Sequence, residues 1–582
     1  MMHNNTQHQF VSHDGTSLFY QRWASLQNPD HKAIVLFHRG HEHSQRMAHL
    51  VVELKLPDFD FFAWDARGHG QSPGERGDAP SFSACVKDIQ YFIQHITDQY
   101  KIQPQNMVVI GQSVGAVLAA TWVHDYAPNL RALCLASPAF DIKLYVPFAK
   151  PGLTLLSKLR GNFFITSYVK AKMLTHDSQR AKEYESDPQI AKAISVRMLL
   201  GLYNTSKRIV EDAQNIFIPT QILCSGSDFV VEQKPQRLFY ERLPHPQKEF
   251  HILEGFYHDT LGEKDREIAF QKIRRFIQQS FVQNPEKIDV LHADKIGPSC
   301  ATAEQLSSPL PPNSLKNWFW SITKKNLKIG SHLSQGLKIG EETGYDSGST
   351  LDFVYRNAPE SRNILGKIID QQYLNAIGWR GIRVRKQHLE QLLSKYAEKL
   401  IQAQKPLKIL DIAAGHGRYI LDAVSQFSQR PDSILLRDYS ELNVESGAEL
   451  IKQRNLQDIA QFKLGDAFDE NSLASIEPKV NLAVVSGLYE LFSDNDLIRR
   501  SLAGLSHAIE QEGYIIYTGQ IWHPQQEFIA RALTSHRQGE AWVMRLRSQA
   551  EMDALVEQAG FKKIDQSIDE YGIFTVSVAQ KL

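Results

Sequence analysis

Four cysteines in 582 residues are too few to staple a chain of this size. None stands in a C-x-x-C pair or beside histidines at metal-ligand spacing, so a disulfide scaffold is excluded and no metal site is expected. Cys134 and Cys224 fall in apolar, strand-like runs and read as buried thiols. Net charge is missing too: 65 basic residues balance 65 acidic ones. No global field therefore favours nucleic acid, and no nucleic-acid partner is expected. No uninterrupted apolar run approaches the roughly 20 residues of a membrane span. The first ten residues are polar and histidine-rich, with no cationic stretch leading into an apolar core, so no secretory signal is read there. Together these absences point to a reducing, cytoplasmic setting.

What is present is an α/β rhythm, met twice. At about 150 residues per domain the length allows several units, and two large ones suffice. Residues Gln9 to Ala24 alternate and turn at His13-Asp14-Gly15, which predicts a hairpin. Apolar runs at Ala33 to Phe37, Phe59 to Trp64, Met107 to Ile110, Ala132 to Leu135, Gln221 to Cys224 and Glu249 to Leu253 then alternate with helical patterns. That rhythm predicts a mainly parallel sheet with helices on both faces over residues 1–282. Residues 141–215 interrupt it with amphipathic helical stretches and no clear strand, as an inserted cap would. A Ser-, Pro- and Ala-rich stretch over 283–313 reads as a linker. The second rhythm fills 314–582, with its core over 383–582. It has a long amphipathic helix, Arg383 to Ala403, and strands at Lys408 to Ile412, Ser433 to Arg437, Gln461 to Leu464, Asn481 to Ser486 and Tyr514 to Thr518. Phe561 to Ile568 and Gly572 to Ala579 close it as an antiparallel pair.

Gly111-Gln112-Ser113-Val114-Gly115 lies between the strand-like run Met107 to Ile110 and the helix-like run Ala116 to Tyr126. This is the setting of a nucleophile elbow, in which small neighbours let a serine occupy a strained turn and the next helix aims its N-terminus at developing negative charge. A serine hydroxyl is a poor nucleophile at neutral pH and needs a base, which in turn needs an acid to orient it. In the chain order Ser, acid, His, the partners are Asp228, after the run Gln221 to Cys224, and His258, after Glu249 to Leu253. Asp259 competes for the acid's place, but adjacency points it away from its neighbour's ring. Oxyanion stabilisation is expected from the N–H of Val114 and one near Gly40, each donor being worth about 10² to 10³ in rate.

The loop His38-Arg39-Gly40-His41-Glu42-His43-Ser44 resembles the HGxGEHS loop of the monoacylglycerol lipase and lysophospholipase branch of the α/β-hydrolase fold, the serine aminopeptidase S33 type. WDARGHGQSPGERG, Trp64 to Gly77, is similar to that branch's next motif, and Leu174-Thr175-His176-Asp177 with Tyr184-x-x-Asp187-Pro188 resembles its cap. The resemblance covers residues 8–282. It implies a serine hydrolase of lipid-like carboxylic esters, of monoacylglycerol or lysophospholipid type, with acyl transfer to an alcohol as the variant chemistry. Arg39 stands where the branch usually has glycine, which leaves two readings: it binds an anionic head group, or it points to solvent.

KILDIAAGHGRY, Lys408 to Tyr419, is a strand followed by a glycine-rich turn and a helix, where backbone can approach a nucleotide-like ligand. A dinucleotide fingerprint needs a small residue three after Gly417, and Ile420 stands there, so NAD is disfavoured. Asp411-x-Ala413-x-Gly415-x-Gly417 instead resembles motif I of class I methyltransferases that use S-adenosylmethionine, with Ala413 replacing the first glycine. The resemblance spans about residues 345–582. It implies that Asp438, ending the next strand, holds ribose hydroxyls, that Asp466 contacts the adenine amino group, and that Ser486, in VVSGLYELF, lies beneath the methyl donor. It is closest to a methyltransferase domain found fused to hydrolases of this type, which supplies no methyl acceptor. Methyl transfer needs in-line positioning, and a base only where the acceptor must lose a proton. Tyr489, Glu490, His523 and Arg383 are expected to shape the acceptor site, with His523 either a base or an ordinary loop histidine.

Between the two rhythms, Trp318, Phe319 and Trp320 stand near Lys316, Lys324, Lys325 and Lys328. Aromatic and basic residues together suit a bilayer interface, and a helix packed onto the methyltransferase domain explains them as well. The sequence thus predicts an α/β protein of two parts: an N-terminal α/β-hydrolase fold with a helical cap and a C-terminal Rossmann-like class I methyltransferase fold. Its expected partners are S-adenosylmethionine, a small lipid-like ester, an unassigned methyl acceptor and, through 314–328, the inner membrane face. In the alternative, a hydrolase or acyltransferase carries a C-terminal domain that binds its cofactor only to regulate.

Overall fold

A computed structural model describes residues 3–145, 148–282, 288–537 and 539–582. The chain divides into two compact units, residues 1–288 and 289–582. In the first, β1 (His3–Val11) and β2 (Ser17–Ser25) pair antiparallel around a turn in which Gly15 takes φ 83°. The next four strands are β3 (Lys32–Phe37), β4 (Phe59–Trp64), β5 (Met107–Gln112) and β6 (Ala132–Ala136). They are buried at nearly every position, as expected of strands covered on both faces.

The cap comprises helices Ala149–Arg160, Ser178–Ser186 and Val196–Glu211, and residues 146 and 147 of its expected span lie outside the described residues. One feature departs from the sequence reading, which found no strand here: β7 (Phe164–Thr166) and β8 (Ala193–Ser195) form a small antiparallel ladder. Three-residue strands are too short to show alternation, and their pairing joins segments well apart in the chain. β9 (Thr220–Ser225) and β10 (Lys248–Leu253) complete an eight-stranded sheet ordered β1-β2-β4-β3-β5-β6-β9-β10. It is antiparallel across β1, β2 and β4 and parallel elsewhere. Ile34, Leu36, Phe61, Val108 and Ile110 pack against Phe270, Ile273 and Phe276 of helix Glu267–Val282. Parallel strands put their following loops on one rim, so those after β5, β9 and β10 meet there.

The second unit begins earlier than the composition indicated. Of the linker expected over 283–313, residues 283–287 lie outside the described residues, and from Asp289 the chain belongs to the unit. The Leu291 carbonyl accepts from Asn495 and Arg499, helix Pro298–Ser307 follows, and Arg531 donates to the carbonyls of Gln305 and Ser308. A Ser/Pro/Ala stretch suits a solvent-facing helix as well as a linker, because Pro298 sits at the first turn, where its missing N–H costs nothing. The long helix likewise starts earlier, running Ile377–Gln402, since Trp379 and Ile382 extend its buried stripe toward Leu389 and Leu393.

Its sheet consists of β11 (Lys408–Asp411), β12 (Ser433–Asp438), β13 (Ala460–Leu464), β14 (Val480–Val485), β15 (Ile509–Gln520), β16 (Phe561–Ile568) and β17 (Phe574–Lys581). The order is β13-β12-β11-β14-β15-β17-β16, parallel through β15 and antiparallel at β17. The direction of winding reverses between β11 and β14, and a crevice at such a switch point is where open α/β sheets bind ligands.

Candidate active sites

Ser113 stands at φ 55° and ψ −114° between β5 and helix Val114–Tyr126. Such a conformation costs a non-glycine residue about 1–3 kcal/mol and persists only where its surroundings enforce it. The flanking glycines make room for it. A Cβ on Gly115 would come within 2.4 Å of the Phe37 and His38 carbonyl oxygens, and one on Gly111 within 2.7 Å of Ala116 Cα. Backbone cannot step aside as a side chain can, so Gly115→Ala is expected to destabilise the first unit by about 3 kcal/mol or more. Thermal unfolding checks this, and an unchanged Tm would contradict the packing described.

The three residues ordered by the sequence converge on the rim. His258 Nε2 lies 2.8 Å from Ser113 Oγ, and its Nδ1 lies 2.8 Å from Asp228 Oδ2. Asp228 Oδ1 accepts the N–H groups of Val230 and Val231 at 2.7 and 3.0 Å. Burial pushes this carboxyl up, but the His258 ring and the two N–H donors outweigh burial and hold it below the usual carboxylate range. An ionised Asp228 accepts from Nδ1–H, which leaves Nε2 as the acceptor facing the serine hydroxyl. Asp259 faces away, accepting from Arg180 Nε at 2.6 Å and Gln112 Nε2 at 3.0 Å.

Arg39 does not point to solvent. It is 3 % exposed, its Nη2 pairs with Glu42 Oε1 at 2.7 Å and approaches Asp259 to 3.7 Å, and its guanidinium lies 5.2 Å from the Tyr184 ring. It shares these two buried carboxylates with Arg46 and Arg180, while its Nε has no partner among the described residues and the residue lines the cavity over Ser113. The neighbouring loop is fixed by His38. The Ala66 N–H donates to His38 Nε2 at 3.1 Å, and Nδ1–H donates to the Arg39 carbonyl at 2.8 Å. Burial pushes the ring down to about 4, so it stays neutral in this tautomer. Gly40 packs against Val114, where a Cβ would meet Val114 Cγ2 at 3.0 Å. No hydrogen bond among the described residues uses the N–H of Gly40 or of Val114.

A cavity of about 150 Å³ opens over Ser113, with Leu118, Leu144, Val169, Leu174, Met198 and Leu199 in its walls. Such walls suit a hydrocarbon chain. The motif after β4 supports the site from behind, a role the residue types alone did not reveal. Asp65 accepts the N–H groups of Ser44 and Gln71 at 2.6 and 2.7 Å, and Arg67 clamps Asp88 and Asp14.

At the switch point of the second unit, Gly415 and Gly417 take φ 58° and 73°. A cavity of about 820 Å³ is lined by Ala413, Gly415, Gly417, Asp438, Asp466 and Ser486. The Gly415 N–H donates to Asp438 Oδ2 at 2.9 Å, while Oδ1 accepts from the Ser440 N–H and Asn443 Nδ2, each at 3.0 Å. Asp466 is exposed and accepts the Phe468 N–H at 2.8 Å. Ser486 is buried, and its Oγ has no partner among the described residues. The carboxylates of Asp438 and Asp466 thus line the cavity, and Ser486 adds a hydroxyl without a partner among the described residues.

Asp411 differs from its expected place. It does not line the cavity. Its carboxyl sits behind the glycine turn, accepting from the Ala413 N–H at 3.2 Å and from the Tyr419 hydroxyl. Burial, aided by the charge of Asp438, pushes it up to about 7 against those two bonds. The folded unit therefore holds a proton that the unfolded chain releases near pH 4. Its stability is expected to fall as pH rises from about 4 to about 7, by up to about 4 kcal/mol. Asp411→Asn should flatten that slope in urea unfolding, and an unaltered slope would contradict the assignment.

A second cavity, of about 350 Å³, shares Asp346, Leu351, Gly487 and Leu491 with the first. Glu490 and His523 line it; Tyr489 and Arg383 do not. The Tyr489 hydroxyl lies 3.0 Å from Ser501 Oγ, and Arg383 donates to the Leu374 carbonyl. Arg385 lines the cavity instead, 3.2 Å from Glu490 Oε1. A signal for it existed: a charge on the apolar stripe of Trp379, Ile382 and Leu389. His523 Nδ1 accepts the Gln525 N–H at 3.0 Å, and burial pushes the ring down to about 4. The neutral ring therefore carries its proton on Nε2 and is a donor, not a base.

Helix Leu315–Ser331 packs on this unit through Trp320, 6.1 Å from the Phe528 ring, and through Lys316, which pairs with Glu527. Trp318 and Phe319 face outward, 65 % and 56 % exposed.

The family model described as "Putative methyltransferase" matches residues 273–581, and that described as "Serine aminopeptidase, S33" matches residues 28–265. The uncharacterized protein YnbC of Escherichia coli strain K12 is 52 % identical over 573 residues, 98 % of each chain. Monoglyceride lipase of Rattus norvegicus is 28 % identical over 255 residues, 43 % of this chain and 82 % of that one. Phospholipase YtpA of Bacillus subtilis strain 168 is 22 % identical over 252 residues, 42 % of this chain and 95 % of that one. With a matching family model over more than half its length and a relative aligned nearly end to end, the chain belongs to this methyltransferase family and carries an α/β-hydrolase domain of the S33 type in its N-terminal half.

Proposed function

We propose that the protein is a bifunctional enzyme, a serine hydrolase of lipid-like carboxylic esters joined to an S-adenosylmethionine-dependent methyltransferase. The observation that carries the first activity is the hydrogen-bonded series Ser113, His258, Asp228 at the mouth of an apolar cavity. As Ser113 Oγ attacks the ester carbonyl, its proton passes to His258 Nε2, and Asp228 stabilises the imidazolium that forms. The N–H groups of Val114 and Gly40 receive the oxyanion. His258 then protonates the leaving alcohol, and a water activated by the same ring releases the acid. The apolar walls and the likeness to a monoglyceride lipase and a phospholipase support monoacylglycerols or lysophospholipids as the esters.

In the second unit, the shared lining of one cavity by Asp438, Asp466 and Ser486 supports a reading in which Asp438 accepts from the ribose, Asp466 accepts the adenine amino hydrogens and Ser486 lies beneath the donor. The bound group supplies an electrophilic methyl. An adjoining cavity with its own polar groups favours transfer over a purely regulatory domain. Incubating 1-oleoylglycerol with the wild type and with His258→Ala tests the hydrolase. Fatty acid release should fall about 10⁴-fold or more in the variant, and equal release by both would contradict the reading.

The outward Trp318 and Phe319, on a helix with Lys316, Lys324, Lys325 and Lys328 and no acidic residue, support contact with an anionic bilayer surface. No helix of the described residues is long and apolar enough to cross a membrane. The four cysteines are free thiols, three of them buried, which suits a reducing cytoplasm with this helix at the inner membrane face. Phosphatidylglycerol vesicles should co-sediment the wild type and release the Trp318→Ala/Phe319→Ala variant. Failure of the wild type to sediment would remove the membrane contact.

A further inference from the structure

The smaller cavity of the second unit has walls from Trp379, Ile382, Leu533, Met544, Trp542 and Phe574. Gly487 lies in the wall it shares with the glycine-turn cavity. That residue takes φ 71°, and a Cβ there would meet Arg385 Nη2 at 3.2 Å, so glycine keeps a side chain out of the junction between the two cavities.

Several polar side chains more than nine-tenths buried enter these apolar walls. Glu490 Oε1 accepts from Arg385 Nη1 at 3.2 Å and from the Thr518 hydroxyl at 2.6 Å, leaving Oε2 with no partner among the described residues. Gln520 Nε2 and Trp542 Nε1 are donors without a partner there, and His523 presents Nε2–H. Buried polar groups are nearly always satisfied, so several unmet ones around one cavity point to a ligand that completes them.

Resting on the methyltransferase reading above, we propose that this cavity binds the methyl acceptor, an apolar ring compound with an acidic hydroxyl of the phenol or enol class, and that Glu490 takes its proton. The residues select this class by charge, acidity and shape. Arg385 and Glu490 balance each other and His523 is neutral, so the cavity holds no surplus cation to hold an anionic acceptor. A neutral hydroxyl donates to Glu490 Oε2 while its oxygen accepts from one of the unmet N–H groups. A phenol-type hydroxyl ionises near pH 10, within reach of a carboxylate base acting as the new bond forms, whereas an aliphatic alcohol is a far weaker acid. Tyr345, Tyr373 and Phe528 add to the two tryptophans and Phe574, giving flat aromatic surface for a ring.

The step balances. The hydroxyl proton passes to Glu490 Oε2, an oxygen lone pair forms the C–O bond to the methyl group, and the electron pair of the broken C–S bond stays on the donor's sulfur as a neutral thioether. Glu490 later returns the proton to solvent.

2-Naphthol is the probe, used with the full-length chain and S-adenosylmethionine. Calorimetry should show both binding to the wild type, and mass spectrometry should find 2-methoxynaphthalene. Glu490→Gln should lower kcat at least 100-fold at pH 7, with KM and cofactor affinity within threefold. Its rate should recover as pH passes about 10, where the probe ionises unaided. Ile369→Trp, which fills the cavity, should abolish 2-naphthol binding and leave cofactor binding intact. Cofactor binding without 2-naphthol binding would overturn the acceptor class. A Glu490→Gln kcat within threefold of wild type, or a variant without recovery at high pH, would overturn the base. Absence of cofactor binding in the wild type would overturn the methyltransferase reading on which both rest.

Discussion

Ser113→Ala is expected to lower ester hydrolysis by about 10⁴- to 10⁶-fold, with the fold and S-adenosylmethionine binding unchanged. The size follows from what the hydroxyl does and what its loss leaves behind. Oγ forms the acyl bond, so no neighbouring group replaces it. The Val114 and Gly40 N–H groups and the apolar cavity stay, and they sustain only the weak catalysis that positioning and oxyanion stabilisation give a bound ester. Alanine occupies the same backbone conformation, and no glycine contact of the elbow is touched, so Tm should move little. Hydrolysis of 1-oleoylglycerol and labelling by a fluorophosphonate both read the change. A variant with more than a tenth of wild-type activity would show that another residue is the nucleophile.

Asp438→Ala should weaken S-adenosylmethionine binding by about 10²- to 10³-fold while leaving ester hydrolysis intact. Hydrogen bonds to a charged group are worth roughly 1.5–3 kcal/mol each, and a ribose hydroxyl held at Asp438 would lose its own. The same carboxylate also receives the Gly415 N–H, the Ser440 N–H and Asn443, so its loss unties the glycine turn as well as removing a ligand contact. Calorimetric titration reads the effect. An affinity within threefold of wild type would place the cofactor elsewhere or remove it from the account.

Much of this was legible in the sequence because it is fixed by local pattern and chain order. Buried parallel strands are continuous apolar runs, and the residue ending each run falls on the rim where ligands gather. Ser113, Asp228 and His258 are therefore marked by the elbow, the strand ends and the chain order, and Asp438 and Asp466 by strand ends together with the resemblance to class I methyltransferases. Side-chain direction and distant partners were not legible. Asp411 ends a strand as Asp438 does, yet it turns behind the glycine loop toward Tyr419. The burial of Arg39 is not legible because one of its two carboxylates, Asp259, is 220 positions away in the chain and reaches it only through the fold. Arg385 stands out only against the stripe that includes Trp379 and Ile382, which lies before Arg383, where the amphipathic pattern becomes clear in the sequence.

The central claim, that one chain holds two independent active sites, is tested most directly by mass-spectrometric profiling of a cell extract. The extract is incubated with trideuteromethyl S-adenosylmethionine and with wild type, Ser113→Ala or Asp438→Ala. The account predicts that wild type consumes lipid esters and yields a trideuteromethyl product, that Ser113→Ala abolishes only the first change, and that Asp438→Ala abolishes only the second. Labelled product from none of the proteins, or ester loss undiminished in Ser113→Ala, would contradict it.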